Sequence, residues 1–169
     1  LKYWPSHRSS IEWGSCTLFR CKPDTPTTNA KYLRNNESLG LVVNDVVDGK
    51  QVRVLLCGDA DYTSIAPRFK KNLIGVVAPH HGGKVKPNST PPPFRSGNWM
   101  IFSTHQGCYR SIPHTDTINE AGSLEWRICR TDNRTRCCCG SSPRGNRWIG
   151  LGYLPHYSLL RACWACLCL

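Results

Sequence analysis

At 169 residues and 19.0 kDa the chain has room for one domain of ordinary size. Its 40% hydrophobic and 20% charged content excludes wholesale disorder. No apolar run reaches the roughly 18 residues of a membrane span, because residues 159–169 are too few and contain Arg161. A net charge of +11 permits phosphate-bearing partners without selecting one.

In chain order, residues 1–34 show no period and contain Pro5, Pro23 and Pro26, which predicts an irregular lead-in. Leu41, Val42, Val43, Val46 and Val47, followed by residues 52–56, predict two strands. Asp48-Gly49 joins them, since both turn positions tolerate positive φ. Residues 62–72 place Ile65, Ala66 and Phe69 on one helical face, with Lys70 and Lys71 near the end where the dipole favours cations.

Residues 73–78 form a continuous apolar run, the pattern of a buried strand. Residues 84–98 read as a loop, because Pro91, Pro92 and Pro93 forbid a helix or a central strand. A second buried strand is expected over 99–103, a short helix over 115–121 ending at Gly122, and an alternating strand over 124–129. The predicted fold class is α/β: a mixed sheet with flanking helices.

Beyond Asp132 no period remains, and no carboxylate either. Cys137, Cys138, Cys139, Cys163, Cys166 and Cys168 share this segment with five arginines. Cys163-Trp-Ala-Cys166 offers half of a zinc motif, but there is no second C-x-x-C to complete it. Residues 134–169 therefore read as a Cys- and Arg-rich tail of doubtful origin, out of frame or unrelated, from which no function is inferred. The only methionine is Met100 and the chain opens on Leu1, which suggests a fragment or a processed product.

Two polar clusters follow buried strands, where chain ends converge on one sheet edge. Gly58-Asp59-Ala60-Asp61 is the first and Pro79-His80-His81-Gly82-Gly83 the second. A carboxylate can bridge two cations and a neutral imidazole is the commonest zinc ligand, so Asp59 with His80 or His81 makes a chemically sensible partial metal site. Gly82 and Gly83 would let backbone and substrate approach closely. His105, just past the second buried strand, could line the same edge, and His114 is placed to cap the helix that follows it.

At these positions the sequence resembles a known family. Asn35-Asn36-Glu37-Ser38-Leu39, then Val54-Leu55-Leu56-Cys57-Gly58-Asp59-Ala60, then Ala78-Pro79-His80-His81-Gly82-Gly83 look like the second half of a metallo-β-lactamase-fold hydrolase. The nearest flavour is the soluble domain of DNA-uptake competence proteins. The similarity runs through residues 109–114 to Thr131-Asp132, so it spans about 35–133. Where that subfamily has Tyr-x-His-Pro, this chain has Ile112-Pro113-His114.

The resemblance implies the C-terminal half of an αββα sandwich with one or two metal ions, usually zinc and sometimes manganese or iron. It further implies Asp59 as the bridging ligand and the last ligating histidine within the His80-His81 pair, with Asp59 and His81 in the catalytic set. Asp61, Gly82, Gly83, His105 and His114 would form the substrate rim. Metal-activated water would cleave a phosphodiester or related ester, in the cytoplasm or in a soluble domain of a larger protein. The family's main motif, His-x-(His/Asp)-x-Asp-His, occurs nowhere in this sequence. The N-terminal half of the fold is thus the expected partner, and the chain alone is expected to be inactive. Two rival readings are a small basic nucleic-acid-binding protein, acting through its basic surface, and a non-catalytic scaffold.

Overall fold

The computed structural model describes residues 9–26, 28–104 and 111–131. Seven strands form one sheet in chain order: β1 (Ser10–Trp13), β2 (Cys16–Arg20), β3 (Leu39–Val47), β4 (Lys50–Leu56), β5 (Leu73–Val77), β6 (Trp99–Phe102) and β7 (Arg127–Arg130). Strands β1 to β4 pair antiparallel, and β4 to β7 pair parallel. Helix α1 (Ala30–Asn36) connects β2 to β3, and α2 (Thr115–Ser123) lies between β6 and β7. The protein is α/β, with a mixed sheet and two helices. Among the described residues no helix is long and apolar enough to cross a membrane.

The expected β3–β4 hairpin is present, turning at Asp48 (φ 52°) and Gly49 (φ 70°). The buried strands at 73–77 and 99–102 and the helix from Thr115 also form. Two expectations need correction. The first is the irregular lead-in over residues 1–34: within it β1 and β2 form a hairpin around Gly14-Ser15, and α1 starts at Ala30. Gly14 takes φ 56°, which makes the two-residue turn possible without strain. Asn29 starts α1 by accepting hydrogen bonds from the amides of Lys31 and Tyr32, both at 3.1 Å.

The second is the helix over 62–72. Two separate 3-10 turns stand there, Tyr62–Ser64 and Pro67–Phe69. Ile65 and Ala66 between them are extended, with ψ of 126° and 137°. Proline explains this, because the ring of Pro67 crowds the preceding residue out of the helical region. Burial of Ile65 and Phe69 survives without the helix that their four-residue spacing suggests.

The two sheet faces differ in cover. Phe19, Val42, Leu55, Val76, Met100 and Phe102 share one face and one core cluster, joined by Tyr62, Ile65, Ala121 and Trp126 from the connections. The Phe19 ring occupies the space beside Gly40, where a Cβ would lie 2.3 Å from the ring, and it stacks on Phe69 at 4.1 Å between centroids. Burial of each such side chain contributes about 1.5–3 kcal/mol. The opposite face presents Leu18, Leu41, Val43, Leu56 and Val77, all half-buried. Val54 and Ile101 at its centre are buried, yet neither belongs to the core cluster.

Candidate functional site

The parallel strands send their carboxyl ends to one edge, where a cleft of about 450 Å³ opens. Asp59 and Asp61 enter it after β4, and His80, Gly83 and Lys84 after β5. Ser111 and His114 come from the stretch before α2, while Asn29, Lys31, Tyr32 and Asn35 form a wall from α1.

The histidine pair is held in an unusual backbone. His80 and His81 take φ of 48° and 57°, two successive non-glycine residues in the left-handed region, at about 1–2 kcal/mol each. Hydrogen bonds to three neighbouring elements hold this shape. The His80 amide donates to the Gly58 carbonyl at 2.9 Å, which ties the pair to the end of β4. Beyond the pair, the His114 amide donates to the Gly82 carbonyl at 2.7 Å, and the Thr117 hydroxyl to the Gly83 carbonyl at 2.9 Å. On the β6 side, His81 Nδ1 lies 2.7 Å from the Ser103 carbonyl oxygen. A carbonyl only accepts, so Nδ1 carries the proton and the ring's lone pair sits on Nε2. Metal-ligating imidazoles are commonly oriented by such a contact.

His80 is placed differently. Its Nδ1 is buried without a hydrogen-bond partner, and the closest acid oxygen, Asp59 Oδ1, stands 3.7 Å away. That separation is too long for a hydrogen bond and suits a charge pair or a shared cation. Both side chains remain about half exposed, at 45% and 51%.

Asp61 lines the cleft with its carboxylate already engaged. Oδ1 accepts from the Thr63 amide at 3.0 Å and caps the first 3-10 turn, and Oδ2 accepts from the Lys86 amide at 2.9 Å. His114 caps α2, its Nδ1 accepting from the Asp116 amide at 3.2 Å, and it also lines the cleft. Gly83 lines the cleft, and both glycines of the expected rim stand where a side chain would collide with the protein itself. A Cβ on Gly82 (φ 86°) would meet Phe102 Cδ1 at 2.2 Å, and one on Gly83 would meet His80 Cδ2 at 2.8 Å. Both make room for the protein's own packing, and Gly82 is turned toward the core. His105 lies outside the described residues, as do the cysteines of the tail.

Several residues at this site are given no site role by the sequence. Asn36 is buried and welds α1 to the site: its Oδ1 accepts from the Asp61 amide at 2.9 Å and from the Ser64 hydroxyl at 2.8 Å. Lys31, Tyr32 and Asn35 reach the cleft only because α1 forms, and the capping Asn29 is the one local signal for that helix. Nearby, Tyr32 donates to Asp24 at 2.7 Å and Lys86 pairs with it at 2.9 Å. These two donors hold the Asp24 carboxyl well below the usual carboxylate range. The thiols beside the site are poor nucleophiles or ligands, since burial pushes Cys21 up to about 11 and holds Cys57 well above the ordinary thiol range.

Among the described residues no group of three or more His, Cys, Asp or Glu side chains is arranged to hold a metal ion. A hydrolytic zinc uses three protein ligands plus water. Asp59 and His80, with an orphaned imidazole nitrogen facing a carboxylate, match part of such a site and fall short of a whole one. No protein-family model, no curated protein and no solved structure matches the chain.

Proposed function

We propose that the chain is one layer of a metallo-β-lactamase-fold hydrolase and supplies Asp59, His80 and His81 to a metal site whose other ligands come from outside the described residues. The metal would be zinc, or manganese or iron, and the parent's substrate a phosphodiester or related ester. One observation carries this reading: an aspartate and a histidine from successive parallel strand ends meet at 3.7 Å in a cleft, and the histidine nitrogen has no other partner. The half-sandwich architecture draws support from the mixed sheet with its main core cluster on one face. With the ligand set incomplete, the chain by itself is inactive on phosphodiesters.

Manganese tests the reading, because carboxylate and imidazole bind it while the eleven cysteines compete poorly. Water-proton relaxation should report weak Mn²⁺ binding that drops roughly tenfold or more in Asp59→Ala and in His80→Ala. Equal binding in the parent and both variants would remove the metal reading. Salt-sensitive DNA binding that persists in Asp59→Ala would favour the nucleic-acid alternative instead.

A further inference from the structure

We propose that the cleft contains a phosphate-binding subsite beside the Asp59–His80 pair, in which Lys31, Lys84 and His114 receive a second phosphoryl group carried by the substrate. The substrate role rests on the hydrolase reading above, whereas the binding itself requires no metal. Its basis is the uneven distribution of donors and acceptors in the cleft. Only two carboxylates line it among the described residues, Asp59 and Asp61. Asp59 faces His80, and both oxygens of Asp61 are taken up by the Thr63 and Lys86 amides. Away from the metal pair, the described lining therefore offers cations and donors without a free carboxylate to neutralise them.

Two lysines supply the charge, each on a fixed backbone. Lys31 stands in the first turn of α1, where the Asn29 side chain holds its amide. Its ammonium is exposed, with no partner among the described residues. Lys84 directly follows Gly83, whose carbonyl accepts from the Thr117 hydroxyl. Its ammonium meets one acid, Asp116 Oδ2 at 3.8 Å, and both side chains are largely exposed. Such a pair is worth about 0–1 kcal/mol, so an entering phosphate displaces it readily.

His114 completes the set through its tautomer. Its Nδ1 accepts from the Asp116 amide, so the neutral ring carries its proton on Nε2 and offers an N–H donor. Asp116 Oδ2 also stands 3.6 Å from Nδ1, so one acid on α2 neighbours both Lys84 and His114. Two ammonium groups and one N–H match the three terminal oxygens of a phosphoryl group, which lysine binds as a point charge. At about 450 Å³ the cleft is larger than a lone phosphate needs. Tyr32, Val85 and Ile112 line it as well, leaving room for the rest of an ester.

Titration of the whole chain with phenyl phosphate and with inorganic phosphate tests this, after removal of metal over a chelating resin and at constant ionic strength. The imidazole NMR signal of His114 reports the site, assigned with His114→Asn, which keeps a helix cap. Phenyl phosphate should move that signal and bind at least roughly threefold more tightly than inorganic phosphate, because the apolar lining covers its ring. Lys31→Ala and Lys84→Ala should each weaken binding roughly fivefold, and Lys31→Arg should retain most of it. Urea midpoints of these variants should match the parent, since both lysines are exposed. Lys50→Ala removes the same charge from the start of β4 and should leave binding unchanged. An unmoved His114 signal overturns the proposal. So does an equal loss in Lys50→Ala, which would mean an adventitious ion drawn only by the net charge of +11. Equal affinity for the two probes would assign the subsite to the free ion and overturn its substrate role. Because the titrations contain no metal, a chain that binds phenyl phosphate but no Mn²⁺ loses the metal reading alone. The reverse result loses the subsite alone.

Discussion

The antiparallel and parallel halves of the sheet are built from different connections, and the candidate chemistry follows the connections. Strands β1–β2 and β3–β4 are joined by two-residue turns that have nothing to spare for a site. The three parallel steps span 16, 21 and 24 residues between strand ends, counted from Leu56 to Leu73, Val77 to Trp99 and Phe102 to Arg127. A parallel step must carry the chain back along the whole sheet, so it needs that length. Asp59, Asp61, His80, Lys84 and His114 all lie within those steps and all reach the edge where the parallel strands end. The antiparallel half contributes through α1, the one long connection it possesses.

Glycine substitutions sharpen this contrast most. Gly82→Ala, in a parallel connection, combines a 2.2 Å approach to Phe102 with a φ of 86° and should cost about 3–4 kcal/mol. Gly49→Ala, in the β3–β4 turn, has a φ of 70° with nothing within 4 Å and should cost about 1 kcal/mol. Urea midpoints measure both, and equal losses would break the distinction. Asn36→Ala should cost about 2 kcal/mol by stranding the Asp61 amide and the Ser64 hydroxyl. In the same variant the imidazole NMR signal of His80 should shift, because the turn after β4 that carries Asp59 loses its tether. An unmoved signal would detach α1 from the site.

The smallest effect is one of pH. The folded-state pKa of Asp24 lies below its ordinary value near 3.9, so its pairing with Lys86 and Tyr32 stabilises the fold fully at neutral pH. That contribution is lost as pH falls through about 4 toward the lower, folded-state value. Asp24→Asn should flatten the decline in melting temperature between pH 5 and pH 2. An identical decline in both proteins would show that this contact between the antiparallel half and the loop after β5 contributes nothing.

Legibility in the sequence divides along similar lines. The β3–β4 hairpin announced itself through Asp48-Gly49, and β5 and β6 through unbroken apolar runs, because each signal is local. Asp59 and the His80-His81 pair were readable as residue types that follow strands. That His80 faces Asp59 while His81 is held by Ser103 was not, since both facts depend on left-handed backbone fixed from three other elements. The β1–β2 hairpin was hidden because its strands are short and draw stability from β3, far along the chain. The 62–72 region misled for the opposite reason. Ile65 and Phe69 sit a helical turn apart in sequence and are both buried, but a proline between them settles the backbone.

The Phe19 ring lying in the slot beside Gly40 has a practical consequence for anyone trimming the chain. Phe19 belongs to a hairpin that looks dispensable, yet its ring bridges the sheet to Phe69 and roofs the start of β3. A version starting at residue 35, where the family likeness begins, would leave a ring-sized hole over Gly40 and bare the edge of β3. Such a truncate should be recovered as aggregate, whereas one starting at residue 9 keeps the plug in place.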